Sequence, residues 1–372
     1  MQTKINRIAD RMRHLTTGLT ALALAAGTAQ ATDIKWVGGD ADWNASVTNW
    51  LTVPGNVNQF PAYINATNDE TVIDNNSTVT ISGDTIVSRV GLGMSTQDTF
   101  FVGAGGNGKI NQSGGNVQMG PTNKGRVGLG GNGRVGIYVM NGGTLLSGEN
   151  TYIGNANSSA TAWTGVGNTN PLGDESASGF FQNAGNSTHK SIVIARAANG
   201  AKGFYEMNSS GTMLITGNPL TIANDAGNNN QKGIFRQTAG TVTINNATTI
   251  RLGAGAESGG TAIYDLLGGT LYAPGANLVD FTNAGLGDDI YFNIAGGTLK
   301  VDNADKAGGA GTWDFTALMA KDGADANDWR SYGVAATAAN LVFTQDGVYT
   351  LITAVVPVGP STFQLIITPA IS

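Results

Sequence analysis

Glycine returns in this chain with a period that few folds can use. Gly115, Gly143, Gly185, Gly211, Gly240, Gly269 and Gly297 each close a short apolar or aromatic segment, and most are followed by Thr and an apolar residue. Val135-Gly-Ile-Tyr-Val-Met-Asn-Gly-Gly143-Thr-Leu and Ala262-Ile-Tyr-Asp-Leu-Leu-Gly-Gly269-Thr-Leu are two of these segments. The spacings are 28, 42, 26, 29, 29 and 28 residues, so five of the six lie within two residues of 28. The long interval contains an insertion rich in Asn, Ser, Thr and Gly at about 155–178. A second marker keeps the same phase: short apolar runs end in Gly or Ala at Gly93, Gly130, Gly154, Ala195, Ala223 and Gly253.

A unit of this length holds three short strands and their turns. Thr78-Val-Thr-Ile-Ser82 and Thr241-Val-Thr-Ile-Asn245 alternate at period two, the signature of a strand. Gly, Asn and Ser between such runs supply turn chemistry. Units of this kind stack as coils of a parallel β-helix ~4.8 Å apart, each burying its inward side chains against its neighbours. The expectation is an all-β protein, a β-solenoid of about seven to nine coils over residues 71–302. The seven marker glycines are structural corners, where a tight bend takes φ > 0 without a Cβ penalty. A WD40-type propeller needs ~40–45 residues per blade. An immunoglobulin-like sandwich has no reason to repeat a Gly-Gly-Thr corner. A leucine-rich repeat needs a Leu/Asn consensus that this chain lacks.

Composition supports the same class. Gly accounts for 55 of 372 residues without an every-third-residue period, which excludes collagen. Hydrophobic residues reach 41%, too many for a disordered linker. The absence of Cys excludes a disulfide framework and thiolate metal sites.

Residues 1–31 read as a secretory signal peptide. Lys4, Arg7, Arg11 and Arg13 precede the apolar stretch Leu15 to Ala26, and Ala29-Gln30-Ala31 supplies small residues at the cleavage spacing, which makes Thr32 the expected mature start. That apolar stretch is too short to span ~30 Å of hydrocarbon, and no later run approaches a membrane span. Cleavage removes four Lys/Arg and one Asp, from 20 basic and 26 acidic residues to 16 and 25, a net of −9. This balance argues against nucleic acid and anionic membranes as partners. The expected location is secreted, extracellular or at the cell surface, with the periplasm as the other compartment open to an exported chain.

The two ends depart from the repeat. Residues 32–70 carry Trp36, Trp43 and Trp50, read as an aromatic N-terminal cap over an open strand edge. The alternative is a carbohydrate-stacking platform using Trp36, Trp43 or Trp50, or Trp163 in the insertion. Residues 303–372 read as a C-terminal β cap or a small separate β domain. They contain a short helical stretch at Ala317 to Lys321 and antiparallel strands around Leu341, Val348 to Val356 and Phe363 to Thr368.

The Trp-x-Gly-Gly, Trp-Asn and Asn-Trp opening, the Pro54-Gly55 turn and the repeated Gly-Gly-Thr-Leu units resemble exported bacterial proteins with autotransporter-associated β-strand repeats. The resemblance covers roughly residues 33–300 and rests on compositional, periodic motifs. It implies a passenger-like, pectin-lyase-like β-helix at a bacterial surface or outside the cell. A full autotransporter is not expected, since 372 residues are too few for both a passenger and an outer-membrane barrel and the sequence ends Ile-Ile-Thr-Pro-Ala-Ile-Ser, without a terminal aromatic.

No catalytic constellation emerges. His189, the one histidine after residue 31, lies in the polar run Asn186-Ser-Thr-His-Lys190 and reads as a solvated loop residue. A three-His metal site is impossible with it. Acidic residues concentrate at Asp40/Asp42, Asp288-Asp289 and Asp322, Asp325 and Asp328. The last group alternates as Ca²⁺ ligands do but lacks a terminal bidentate Glu, so all three read as surface turns. Arg196 and Arg251 sit at different offsets from the second marker, so they do not stack in one row. Thr144, Thr212, Thr241, Thr270 and Thr298 each follow a marker glycine and form a ladder. An ice-binding face needs a second Thr rank, and only Thr241-Val-Thr243 supplies it. We expect no cofactor and no metal. The functional expectation is a non-enzymatic surface, matrix or adhesion module, with a carbohydrate-binding or polysaccharide-degrading β-helix as the alternative. Its expected partners are polysaccharide, cell-surface components or further copies of the chain.

Overall fold

A computed structural model describes residues 33–53, 71–73, 75–83, 85–86, 99–102, 106–119, 126–130, 134–155, 170–196, 200–223, 230–245, 248–253, 260–274, 277–281, 289–321 and 328–357. The signal-peptide segment, Trp163, Gly93, Asp288, Asp322, Asp325 and the strand expected at 363–368 lie outside the described residues.

The chain is nearly all β and forms a β-solenoid of about five turns of stacked parallel coils. The most regular turns run from Gly136 to Asp280. Gly136–Asn155 and Ser178–Arg196 each wind through a whole turn as one bent strand. Later turns divide into three, as in Lys202–Met207, Thr212–Ile215 and Leu220–Ile222. Three parallel faces result. The first carries Lys202–Met207, Lys232–Gln237, Thr261–Leu266 and Asp289–Ile294 in register. The second carries Thr212–Ile215, Thr241–Ile244, Thr270–Tyr272 and Thr298–Asp302. The third carries Leu220–Ile222, Thr248–Leu252 and Asn277–Asp280. Parallel pairing continues below Gly136 through Gly108–Gln112 and Asn116–Met119.

At the N-terminal end, Asp33–Trp36 pairs antiparallel with Trp50–Val53 and parallel with Thr71–Ile73. At the C-terminal end the first face adds one more parallel strand, Trp329–Ser331 beside Asp289–Ile294, while the second face ends its parallel stack. Tyr349–Ala354 pairs antiparallel with Thr298–Asp302, and Leu341–Asp346 pairs antiparallel with Tyr349–Ala354. A helix, α1, spans Phe315–Lys321, and its Ala317 N–H donates to the Asp314 carboxylate at 2.8 Å.

Register places chemically similar groups directly above one another in the core. Tyr138, Phe180, Tyr205, Phe235, Tyr264 and Phe292 are all fully buried. They form a continuous stack with centroid separations of 4.7, 4.6, 5.0, 4.8 and 4.7 Å and near-parallel planes. This spacing is that of the coils themselves, so the strand rise sets an offset-stacking distance for aromatic rings.

Tyr and Phe alternate in this stack, and a second alternation is locked to it. Two residues after each ring come Met140, Gln182, Met207, Gln237, Leu266 and Ile294 in turn. Each buried Gln needs two acceptors and a donor. Gln237 Nε2 donates to Gly240 O and Thr270 O, both at 3.1 Å, and its Oε1 accepts from Tyr264 of the next coil at 2.9 Å. Gln182 repeats this with Gly185, Thr212 and Tyr205, and Gln112 with Gly115, Thr144 and Tyr138. From Gln112 to Leu266 the core therefore repeats every two coils, a period the glycine spacing alone conceals; Ile294 ends it.

The corners correct one expectation. Gly143 has φ +76°, and a Cβ there would lie 2.0 Å from Gly115 O. Positive φ also occurs at Gly115, Gly185, Gly240 and Gly269, but not at Gly211 or Gly297. At Gly211 the requirement is space, since a Cβ would lie 1.9 Å from Gly185 O. At the last corner the positive φ moves one residue upstream, to Gly296.

Three variants check this architecture. Gly143→Val loses more than about 2 kcal/mol in denaturant unfolding, through strain and blocked stacking. Gly39→Ala, where a Cβ meets nothing within 4 Å, stays within about 0.5 kcal/mol of the parent. Tyr264→Phe strands the buried Gln237 oxygen and costs about 1–3 kcal/mol; an unchanged unfolding midpoint would refute the two-coil network.

Candidate functional site

The tryptophans expected at the N-terminal end pack against one another. Trp36, Trp43 and Trp50 are 1%, 2% and 0% exposed. Trp50 lies 4.7 Å from Trp36 and 4.4 Å from Trp43 between ring centroids. Their indole N–H groups are satisfied internally, Trp36 on Gly39 O at 3.0 Å and Trp50 on Trp43 O at 3.1 Å. A sugar-stacking platform needs an open ring face, and burial within this cluster removes it, so stacking on Trp36, Trp43 or Trp50 is set aside. The acidic turns bind within the protein: Asp40 accepts from Thr78 N, and Asp42 from Asn44 N and Ser82 Oγ. Asp328 is half-buried beside Trp329. Among the described residues no group of three His, Cys, Asp or Glu could hold a metal ion.

His189 is not a solvated loop residue. Period-two alternation from Ser187 turns it inward, and it is fully buried. Thr151 Oγ1 lies 2.8 Å from its Nδ1, while Nε2 has no partner. A proton on Nδ1, donating to Thr151, leaves only a lone pair at the buried Nε2, the less costly tautomer. Burial holds its pKa down at about 3.

Two outer surfaces carry the remaining chemistry. On the outside of the first face, Glu206, Arg236, Asp265, Asn293 and Arg330 occupy one register position in successive strands. Arg236 Nη2 is 3.7 Å from Asp265 Oδ2, and Asn293 Nδ2 donates to Asp265 Oδ1 at 3.1 Å. The Arg330 guanidinium lies 3.7 Å from the Tyr291 ring centroid. Burial raises the pKa of Asp265 in spite of Asn293 and Arg236. Burial likewise raises that of Glu206, with Arg236 and Asn208 opposing it. Alternating charge is what permits charged residues to stack at coil spacing. Arg196 and Arg251 occupy different register positions, as expected, since Arg251 lies in the row of Thr221 and Val193; the arginines that do share a row are Arg236 and Arg330. The signal was present in the sequence four or five residues before each marker glycine.

Earlier in the same face the outer positions are apolar. Val135, Ile137, Ala177 and Phe204 form a second cluster, with Val139, Leu172 and Phe181 against it. Leu172 and Ala177 belong to the end of the insertion, which is fastened by Lys202 to Asp174 and Ser176, both at 2.8 Å.

The outside of the second face is bare and polar. Its first rank reads Asn116, Thr144, Asn186, Thr212, Thr241, Thr270 and Thr298, and its second Gln118, Leu146, Thr188, Leu214, Thr243, Tyr272 and Lys300. Thr144 and Thr212 donate to Asn116 and Asn186 at 2.6 and 2.9 Å. Along the adjoining corner runs a one-directional amide chain: Thr238 donates to Asn208, Asn208 to Asn183, Asn183 to Asn141 and Asn141 to Asn111. At the far end Lys300 Nζ sits 3.8 Å from the Tyr349 ring centroid, and Tyr272 bonds Asp302.

Comparison with family models, with curated proteins and with solved structures finds no match. Among the described residues no helix is long and apolar enough to cross a membrane.

The histidine yields a signed pH dependence. Between its unfolded pKa near 6.5 and its folded value of about 3, the unfolded chain holds a proton that the folded chain does not. Stability from this group is complete above pH ~6.5 and falls with acidification by up to about 1.4 kcal/mol per pH unit until pH ~3. Unfolding curves at pH 7.5 and 5 show a larger loss for the parent than for His189→Gln; equal losses would refute the buried neutral imidazole.

Proposed function

We propose that this chain is an exported β-solenoid of a bacterium that acts as a non-enzymatic surface, matrix or adhesion module. The observation that carries the reading is the outer side of the second face, regular over seven strands in register and with two uncharged outward ranks over the first six. A flat lattice of hydroxyl and amide groups suits contact with an extended, repetitive surface better than capture of a single small molecule. The finer architecture belongs to the same proposal. The stack counts seven to nine coils, residues 32–70 and 303–372 close its ends, and residues 1–31 direct export. The likeness to autotransporter-associated repeats is part of this reading and rests on the periodic motifs alone.

Two measurements test it. The full chain expressed in a bacterium is recovered outside the cytoplasm with Thr32 at its N-terminus; cytoplasmic retention of an uncleaved chain would refute export. Purified mature protein is then retained on bacterial cell-surface or matrix material, and washing through unretained would refute the adhesion role.

A second reading, a polysaccharide-degrading β-helix, is favoured by the Glu206–Arg236–Asp265 row. Two carboxylates with raised pKa, separated by one coil that carries an arginine, are the groups that acid–base hydrolysis of a glycan requires. Release of reducing ends from a polysaccharide, abolished in Glu206→Gln, would replace the first reading with this one.

A further inference from the structure

We propose that the outer side of the second face docks a solid, electrically neutral polysaccharide. The inference rests on the adhesion reading above and names the chemistry of the surface that is bound.

Charge is the first argument. The whole chain carries a net charge of −6, yet the two outward ranks of this face from Asn116 to Tyr272 include no acid and no base. Charge stands only at the rim and is engaged there: Lys190, one outward position beyond Thr188, pairs with Glu149 at 2.9 Å, and Lys300 and Asp302 are met by Tyr349 and Tyr272. Ionic partners are selected by complementary charge, and a face without any offers them nothing. A neutral partner with many hydroxyls loses nothing by binding there.

Unused hydrogen-bonding capacity is the second argument. Asn141 and Asn183 are exposed, and each directs one amide N–H along the ladder. Each amide has a second N–H for an outside acceptor. Thr144 and Thr212 donate their hydroxyl protons sideways, and their oxygen lone pairs can accept from outside. Sugar hydroxyls are both donors and acceptors, so they can answer both kinds of group. Leu146 and Leu214 lie between them and suit the C–H faces of sugar rings.

Size is the third argument, and it separates a solid from a second copy of the chain. Seven strands at coil spacing, each about four residues long, give a patch of roughly 30 by 13 Å, or about 400 Å². A stable protein–protein interface buries about 800 Å² on each partner. A patch of half that size holds weakly against one protein molecule. Against an extended solid, every contact repeats on the same lattice, and neighbouring molecules bind side by side.

The experiment is depletion of mature protein from solution by washed microcrystalline cellulose and chitin. Alginate and chitosan beads serve as the anionic and cationic solids. Two double variants, Thr212→Glu/Thr241→Glu and Thr212→Arg/Thr241→Arg, place charge of either sign on the face. Lys232→Glu, exposed on the outside of the first face, is the control, and melting temperatures accompany all three. The expected result is binding to at least one neutral solid, weakened at least tenfold in both double variants and unchanged in Lys232→Glu. Equal binding by a folded double variant overturns the proposal. So does preference for alginate or chitosan. Retention on cells or matrix without binding to either neutral solid overturns the docking chemistry and leaves the adhesion reading standing. Failure to bind cells, matrix and all solids removes both. A dimer in solution that the Thr212→Glu/Thr241→Glu variant dissociates assigns the face to a second copy and also overturns it.

Discussion

Parallel, in-register pairing is the constraint on which this structure depends. It holds equivalent residues of successive coils one strand spacing apart, so each side chain meets its own counterparts above and below. Only groups that tolerate such repetition can occupy a position. Aromatic rings do, and they form the stack from Tyr138 to Phe292. Amides do when each donates in the same direction, as from Asn208 to Asn183 to Asn141. Charges do when they alternate, as Arg236 and Asp265 do. Glycine at the corner lets the carbonyl of one coil receive the N–H of the next, as Gly240 O does from Thr270 at 2.8 Å.

Buried glutamine is the one group that does not tolerate repetition. Its oxygen and its two N–H protons all need partners inside an apolar core. A second glutamine directly above would compete for the same carbonyls. The chain places Met207 or Leu266 in the intervening coil and a tyrosine hydroxyl over the glutamine oxygen. From Gln112 to Leu266 the core is thus built from pairs of coils, and removing the coil of Met140 or of Met207 would set glutamine on glutamine. This network also explains why the interior accepts Gln112, Gln182 and Gln237, since the amide of each is satisfied from its own and the next coil.

Much of this fold was legible because corners demand glycine and strands demand alternation. Gly143 and Gly269 mark positions that no other residue fills without clash, so their spacing survives in the sequence. The two-coil alternation was hidden by treating all repeats as equivalent; reading Gln182, Met207 and Gln237 as one column would have exposed it. The polar neighbours of His189 point to a loop, but the alternation Ser187 in, Thr188 out, His189 in is the stronger signal. The tryptophans were legible as a cluster but not as buried or open, because that depends on the pairing of Trp36 with Trp50 across two strands. Arg196 and Arg251 keep different offsets from the second marker and show no row, whereas Arg236 and Asp265 keep step with the first, each four residues before its glycine.

Function in such a fold has to come from its outward positions, because stacking dictates the inward ones. The two outer surfaces show how differently one lattice can be used. On the first face the groups answer one another: Arg236 meets Asp265, Asn293 meets Asp265, and Leu172 covers the apolar positions near Phe204. Little is left there for an outside partner. On the second face the ladders use only part of each amide and hydroxyl, and no segment of the insertion lies over them among the described residues. Exposed polar groups in water cost nothing while unbound, so the difference is not one of stability. It is a difference in what remains to be bound, and it is the reason the proposed contact is placed on the second face.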